Sequence, residues 1–291
     1  MDDQPLMLGL IGASGAGKTT LTRGIIRLLG AQGVTPISLD DYLRYSRAER
    51  AALGLTDADP AATDLERMAA DLAALRRCQT INKPVYDHVA GAPRGSERVA
   101  PTGLVIAYGA LTLTPPVQAE LFDLTVYLDP HPDLYRRWRE ERDVKQRGYT
   151  LAEVQAAWPA RERDIQRYIT PQRPLADVVL RFGPGTDGLD VQMSLRRRAL
   201  AFDLASVVQP AESAVAIQIR PVPADEDGLP AVLVSATNDP ALQRVSDALR
   251  ARLPVRGQVA AGEEPSPVSA TLTFAQTLVA VMLLRQTVGL E

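Results

Sequence analysis

A glycine-rich octapeptide near the start of the chain constrains its fold more than any other feature. Residues 12–19 read GASGAGKT and match the pattern G-x-x-x-x-G-K-[ST] at every position. The apolar run Met7–Ile11 before them is typical of a buried strand, and the spacing of Thr19–Leu29 after them predicts a helix. A strand, such a loop and a helix in succession favour a phosphate-binding unit over a chance glycine-rich turn.

The residue types of this loop fit the binding of a polyphosphate. Glycines let the backbone turn so that successive N–H groups point at phosphate oxygens, and the helix N-terminus adds positive charge. Lys18 would reach the outer phosphates, and Thr19 would offer its hydroxyl to Mg²⁺. The residues expected to bind the nucleotide are Gly12, Ala13, Ser14, Gly15, Ala16, Gly17, Lys18, Thr19 and Thr20.

Short apolar runs alternate with helical spacing along the chain, which predicts an α/β protein with a parallel β-sheet flanked by helices. The pattern of apolar and polar residues changes after Gly183-Pro184-Gly185, and we expect a core domain over residues 1–199 and a small α+β C-terminal extension over residues 200–291, packed on that core. The expected strands are residues 7–11, 34–39, 104–107, 124–128, 176–181, 214–220 and 231–235. The expected helices are residues 19–29, 64–77, 132–147, 151–168 with an interruption at Pro159, 242–253 and 271–288.

Composition excludes several classes of protein. The formal charge of −3 gives no reason to expect a nucleic acid or an anionic membrane as partner. One cysteine and two histidines cannot build an intrachain disulfide or a Cys/His zinc cage. The acidic start lacks the basic flank of a signal peptide, and the longest apolar run near the C-terminus, residues 278–284, falls far short of the ~20 residues that span a bilayer. These features predict a cytoplasmic protein.

An aspartate at the end of the second predicted strand is a candidate general base. The segment reads Ser38-Leu39-Asp40-Asp41-Tyr42. A carboxylate at the C-terminal edge of a strand, beside the phosphate loop, can accept a proton from an attacking hydroxyl. An aspartate that caps a helix or stabilises a turn has the same local sequence. The local sequence leaves both roles open for Asp40.

Seven stretches of the chain carry a family resemblance. They are GASGAGKTT (12–20), SLDDYLRYSR (38–47), ALGLTDADPAATDLERM (52–68), KPVYDH (83–88), LFDLTVYLD (121–129), RDVKQRGY (142–149) and RYITPQRPLADVVL (167–180). In order and spacing they resemble the phosphoribulokinases, within the phosphoribulokinase/uridine kinase family of P-loop kinases. Uridine kinases share the first two stretches. The patterns K-P-x-Y-x-H, R-D-x-x-x-R-G and Y-I-x-P-Q favour phosphoribulokinase.

The resemblance implies a P-loop kinase fold and ATP-dependent, Mg²⁺-dependent phosphorylation of ribulose 5-phosphate at its free primary hydroxyl. Asp40 would be the general base and, with Thr19, a metal ligand. By residue type alone, Lys83 could instead be a surface lysine before Pro84, and a histidine such as His88 is more often structural than a ligand contact. The implied sugar-phosphate pocket contains Arg47, Lys83, Tyr86 and His88. The resemblance also implies a homodimer or a larger homo-oligomer.

Arginines recur through residues 131–173, with Arg136, Arg139, Arg142 and Arg147 at steps of three to five residues. Such a run usually forms a solvated, salt-bridged helix face. The functional alternative is a lid that closes over ATP and donates guanidinium hydrogen bonds to the transferring phosphoryl group. The resemblance implies that Arg142 and Arg147 assist Lys18 in catalysis, and that Asp143 is an acidic partner near the metal or the substrate.

One strand end departs from the family pattern. Tyr108 stands where the family has a glutamate that helps to hold Mg²⁺, directly or through water. A phenol is neutral at pH 7 and is a poor Mg²⁺ ligand. Leu43 and Leu111 replace histidines found nearby in some members. Three interpretations therefore stay open: an altered but active ribulose-5-phosphate kinase, another hydroxyl kinase (of the uridine, cytidine, pantothenate or glycerate type), or an ATP-binding protein with reduced catalysis.

Overall fold

A single mixed β-sheet runs through the part of the chain that the structure describes. The computed structural model describes residues 4–117, 119–185, 188–202, 217–237, 239–251, 253 and 269–285. The strands are β1 (Leu6–Ile11), β2 (Val34–Ser38), β3 (Ile81–Asp87), β4 (Ala92–Val99), β5 (Leu104–Gly109), β6 (Leu124–Leu128), β7 (Val178–Gly185), β8 (Gly188–Arg196), β9 (Ile217–Val222) and β10 (Ala231–Ala236). Eight of these lie in the order β2-β5-β1-β6-β7-β8-β10-β9, and β3 and β4 form a separate antiparallel hairpin.

The first five strands of this order are parallel and the last three are antiparallel. The parallel strands read as continuous apolar runs because both of their faces are buried. The helices are α1 (Lys18–Leu29), α2 (Arg47–Leu53), α3 (Leu65–Arg76), α4 (Pro132–Arg147), α5 (Leu151–Ala156), α6 (Trp158–Asp164), α7 (Pro240–Arg250) and α8 (Ala270–Arg285). Helices α1, α7 and α8 cover one face and α3 covers the other, which confirms the predicted α/β class with a sheet flanked by helices.

Local signals explain where the site-bearing helices begin and end. Helix α2 starts with a reciprocal capping box between Ser46 and Glu49. Helix α4 begins at Pro132, whose missing N–H is not needed in the first turn, and it ends at Gly148 in the left-handed region. The predicted helix over 151–168 is divided into α5 and α6 because Pro159 lies in the first turn of a new helix. No helix in the described ranges is long and apolar enough to cross a membrane.

Three elements were not expected from the sequence. The hairpin β3–β4 and the strand β8 carry too many polar residues to show a clear apolar alternation, and α2 spans two turns. The strand expected at 214–220 is β9, which begins at Ile217; residues 203–216, residues 252 and 254–268, and the tail from residue 286 lie outside the described residues. Strand β8, which precedes the predicted domain boundary at residues 199/200, pairs with β10, which follows it. The boundary itself stays a prediction.

A buried ion-pair cluster joins the C-terminal strands to the rest of the sheet. Arg196 at the end of β8 has no exposed surface, and its guanidinium donates to Asp225 at 3.0 Å and to Asp227 at 2.5 Å. Its Nε donates to the carbonyl of Ala176 at 3.0 Å. Arg173 donates to Asp227 from the other side at 2.6 Å. The turn between β9 and β10 is therefore held by charge pairs shielded from water.

Replacing Arg196 by Met should lower the free energy of unfolding by about 3–5 kcal/mol, because it leaves the Asp225 carboxylate, whose side chain is 4% exposed, without its arginine partner, while Asp227 keeps Arg173. The matched control is Arg250→Met, which removes a pair with Asp247 whose side chains are 40% and 58% exposed. That control should cost under about 1 kcal/mol. Urea unfolding of both variants measures the difference, and equal losses would contradict the assignment.

Candidate active site

The loop of residues 12–19, called the P-loop below, has the backbone that its glycines allow. Gly17 caps α1 with a φ of 99°, and Gly12 has a φ of 148° where an added Cβ would lie 2.8 Å from the carbonyl oxygen of Leu128. The Lys18 ammonium folds back over the loop and donates to the carbonyls of Gly12 at 2.6 Å and Ala13 at 3.1 Å. The loop thus holds its lysine in place before any phosphate arrives.

Lys18 is a buried cation, and its burial lowers its pKa to about 8. The Asp40 carboxylate opposes this shift, and the Arg142 guanidinium adds to it. Thr19 and Thr20, next along the chain, are exposed at the first turn of α1. A polyphosphate above the loop would stabilise the charged form of Lys18.

Two neighbouring cavities meet above the P-loop. The P-loop cavity, of about 610 Å³, is bordered by Gly15, Gly17, Lys18, Thr19 and Thr20. The arginine cavity, of about 350 Å³, is bordered by Arg47, Arg50, Arg139, Arg147 and Arg161. Four residues line both: Ser14, Asp40, His88 and Arg147.

Asp40 lies in the wall between these cavities. It belongs to a short 3₁₀ turn, Leu39–Tyr42, that follows β2 at the carboxyl edge of the parallel strands, the edge at which the P-loop follows β1. Its side chain is half-buried, and its Oδ1 accepts a long hydrogen bond of 3.4 Å from the Ala110 amide. One carboxylate therefore faces both cavities.

Four arginines surround Asp143, which has no exposed surface. Its oxygens lie 2.6 Å from Arg139, 2.7 Å from Arg142, 3.9 Å from Arg161 and 4.0 Å from Arg147. Burial alone would raise the pKa of this carboxyl, but Arg139 and Arg142 lower it below its usual value. The Asp143 carboxylate is thus charged, and its oxygens already pair with arginines. These ion pairs hold the arginine side chains in place.

Two of these arginines reach the P-loop itself. Arg139 is buried and donates to the Ser14 carbonyl at 2.7 Å and to Asp57 at 3.1 Å. Arg142 donates to the Ser14 hydroxyl at 3.2 Å, and burial followed by the nearby Arg139 lowers its pKa to about 10. Helix α4 is thereby joined to the P-loop. Arg136, the fourth member of the predicted arginine run, instead pairs with Glu162 on the surface.

The K-P-x-Y-x-H segment forms β3 of the hairpin and the residue after it. Tyr86 and His88, both predicted to bind the substrate, line the arginine cavity. Lys83, predicted for the same role, is not among the described residues that line either cavity. The Lys83 ammonium is buried and lies 2.5 Å from Asp41 and 3.0 Å from Glu97. A direct contact between Lys83 and a substrate stays a prediction; its geometry instead fixes the hairpin to the turn that carries Asp40.

Polar groups in the arginine cavity are only partly used. Arg47 stacks over Tyr149 at 4.1 Å and donates to the His88 carbonyl at 3.2 Å, while its buried Nε has no hydrogen-bond partner. The Tyr86 hydroxyl accepts from Arg50 at 2.8 Å. Burial, and then the charge of Arg147, lowers the pKa of His88, so His88 is neutral at pH 7. Among the described residues that line this cavity, Arg47 thus keeps one buried donor unpaired.

Several residues of this site carried no assignment from the sequence. Arg50, Arg139, Arg161, Asp57 and Tyr149 all line the arginine cavity. Asp57 and Tyr149 lie inside stretches that resemble the family, and Arg139 belongs to the arginine run. The sequence therefore drew attention to these segments, but it did not show that the three side chains line one cavity. The partners of these side chains lie on other elements and become apparent only in the fold.

The residues available for Mg²⁺ are few. Tyr108 lines the P-loop cavity, and burial followed by the Asp40 charge raises its pKa, so it stays a neutral phenol. Among the described residues no three His, Cys, Asp or Glu side chains form a metal cluster. Mg²⁺ in phosphoryl-transfer sites takes one or two protein oxygens together with phosphates and waters. Thr19 and Asp40 fit that lower requirement.

Comparisons with known proteins show the family to which the chain is similar. The family model described as "Phosphoribulokinase / Uridine kinase family" matches residues 7–188. The chain is 36% identical over 182 residues to the phosphoribulokinase of Synechocystis sp., covering 62% of this chain and 55% of that protein. It is 28% identical over 188 residues to a uridine kinase of Listeria monocytogenes, covering 62% of this chain and 88% of that protein. The chain thus spans about half the length of the phosphoribulokinases it matches.

The solved structure of the phosphoribulokinase from Rhodobacter spheroides extends the likeness in fold to the C-terminal strands and helices. It aligns with a TM-score of 0.63 and 16% identity over 99% of this chain and 100% of that chain. The family model covers more than half of the chain and includes the P-loop, the turn with Asp40, the hairpin and α4. The chain therefore belongs to the phosphoribulokinase/uridine kinase family.

Proposed function

We propose that this protein is an ATP-dependent kinase that phosphorylates D-ribulose 5-phosphate at its free primary hydroxyl, giving ADP and ribulose 1,5-bisphosphate. The observation that carries the proposal is the position of Asp40 in the wall shared by the P-loop cavity and the arginine cavity. A donor phosphate held in the first cavity and an acceptor hydroxyl held in the second would meet beside this carboxylate.

The charge of the arginine cavity supports a phosphorylated acceptor. Five arginines and two aspartates line it, and three of the arginines, Arg139, Arg147 and Arg161, already pair with Asp143 or Asp57. Arginine presents a planar fork that matches phosphate oxygens, and Arg47, whose Nε has no hydrogen-bond partner, lines this cavity. An uncharged acceptor such as uridine would leave this charge uncompensated. A sugar phosphate of five carbons would compensate it.

The reaction needs proton removal and charge neutralisation. Asp40 would accept the proton of the acceptor hydroxyl, and Lys18 would hold the outer phosphates of ATP. Arg142 and Arg147 would donate to the transferring phosphoryl group, while Asp143 orients both guanidiniums. Thr19 and Asp40 would hold Mg²⁺, whose charge would offset that of the ATP phosphates.

Three further properties belong to the proposal and rest on family likeness and composition: a requirement for Mg²⁺, a cytoplasmic location, and assembly into a homodimer or a larger homo-oligomer. The acidic C-terminal third is the surface that we propose for assembly. Kinases of the uridine, cytidine, pantothenate and glycerate types remain the alternative within this fold, together with an ATP-binding protein of reduced catalysis.

Purified protein supplied with ATP and Mg²⁺ should release ADP when ribulose 5-phosphate is added, and far less with uridine, cytidine, pantothenate or glycerate. The reason is that only ribulose 5-phosphate among these joins a primary hydroxyl to a phosphate that the arginine cavity can hold. A coupled ADP assay over this panel measures the ranking. Preference for an unphosphorylated acceptor would contradict the proposed substrate, and no ADP with any acceptor would leave the ATP-binding alternative.

Asp40→Asn should reduce kcat by about 10²–10⁴-fold and change ATP affinity by less than about threefold, because the amide keeps the shape of the side chain but cannot accept the proton. Steady-state kinetics and ATP binding by calorimetry provide the two numbers. Asp133→Asn is the control, since its carboxylate is 89% exposed on α4 and lines neither cavity. Equal losses of turnover and affinity in Asp40→Asn would rule out a role as base.

ATP binding should weaken as pH rises, because free Lys18 has a pKa of about 8 and must be protonated to hold the phosphates. ATP binding raises the pKa of Lys18. At pH values between the free and the bound pKa, binding is therefore accompanied by proton uptake, and the Kd should increase about tenfold from pH 7 to pH 9. The Kd of Lys18→Met should be weak and nearly independent of pH over the same range. A wild-type Kd that does not change would contradict the assignment of this lysine.

A further inference from the structure

The lining of the P-loop cavity includes large apolar side chains as well as its charged groups. Four of these apolar side chains, called the apolar wall below, are Trp138, Phe182, Leu189 and Leu272. The rings of Trp138 and Phe182 meet edge to face, with centroids 6.0 Å apart. Charged triphosphate oxygens gain nothing from contact with apolar side chains, whereas the flat faces of a nucleobase pack favourably against them.

The members of this wall come from four different elements. Trp138 lies on α4, Phe182 on β7, Leu189 on β8 and Leu272 on α8. The last two lie beyond residue 188, where the match to the family model ends. Half of the wall is thus supplied by the C-terminal part of the chain, to which the sequence assigned no site.

Two hydrogen bonds hold α8 against the nucleotide-binding elements. The Thr271 hydroxyl donates to the Leu189 carbonyl at 2.7 Å, which ties the two leucine-bearing segments together. The Gln276 amide donates to the Thr20 carbonyl at 3.2 Å, which ties α8 to the helix that follows the P-loop. Gly24 permits this approach, since an added Cβ would lie 2.0 Å from the Gln276 side chain. The wall is therefore built in fixed register with the P-loop.

We infer that the purine base of the nucleotide binds against Trp138, Phe182, Leu189 and Leu272, so that the C-terminal helix α8 completes the nucleotide site. This inference rests on the proposed function only in requiring a nucleoside triphosphate at the P-loop; it does not depend on the acceptor. The base gains apolar burial and aromatic contact there, while the triphosphate is held by the P-loop.

The test compares ATP with inorganic tripolyphosphate, which has the phosphates but no base. The full-length protein carries Trp158→Phe, so that Trp138 is the remaining tryptophan; Trp158 lines neither cavity. ATP should change the Trp138 fluorescence and tripolyphosphate should not. Leu272→Ala should weaken ATP binding about three- to tenfold and leave tripolyphosphate binding unchanged.

The matched control is Leu284→Ala, on the same helix α8, where the leucine is also half-buried against the core but does not line the cavity. Any loss of ATP affinity that arises from destabilising α8 should appear in both variants, so a loss confined to Leu272→Ala supports the inference. If ATP and tripolyphosphate bind alike and neither variant matters, the base site is overturned while the P-loop assignment holds. If neither ligand binds, both the base site and the proposed kinase activity are overturned.

Discussion

A carboxylate with no exposed surface, Asp143, sets the arrangement of charge in this protein. Arg139, Arg142, Arg147 and Arg161 lie within 4.0 Å of its oxygens. Four guanidiniums in so small a volume repel one another, and the buried anion offsets that repulsion only because its pKa is held low. The arginines that face the two cavities therefore offset the cost of desolvating this carboxylate.

The sheet brings the remaining groups to that cluster. Because β1, β2 and β5 are parallel neighbours, the segments that follow their carboxyl ends meet at one edge. The P-loop follows β1 and the turn with Asp40 follows β2, and the contacts of Arg139 and Arg142 with Ser14 bring α4 over the same edge. Lys83, buried against Asp41, attaches the hairpin to the turn beside Asp40.

The P-loop, Asp40 and α4 could be predicted from the sequence because their signals are local: a spaced glycine pattern, a strand end and a charged helical stretch. The sequence could not show that Lys83 turns into an ion pair rather than a cavity, since its partners are 42 and 14 residues away. The surroundings of Asp143 were hidden for the same reason, because Arg161 comes from another helix. The apolar wall at Leu189 and Leu272 depends on packing between distant segments, which periodicity does not encode.

In the proposed mechanism, the Asp40 carboxylate joins a cavity for the phosphate donor to a cavity for a phosphorylated acceptor. A crystal structure with a non-hydrolysable ATP analogue, Mg²⁺ and ribulose 5-phosphate would show whether the two cavities are used in this way. We expect the sugar phosphate among the guanidiniums of Arg47, Arg147 and Arg161, with its primary hydroxyl within hydrogen-bond distance of Asp40 and facing the terminal phosphate. Sugar bound outside the arginine cavity, or a hydroxyl turned away from Asp40, would contradict this mechanism.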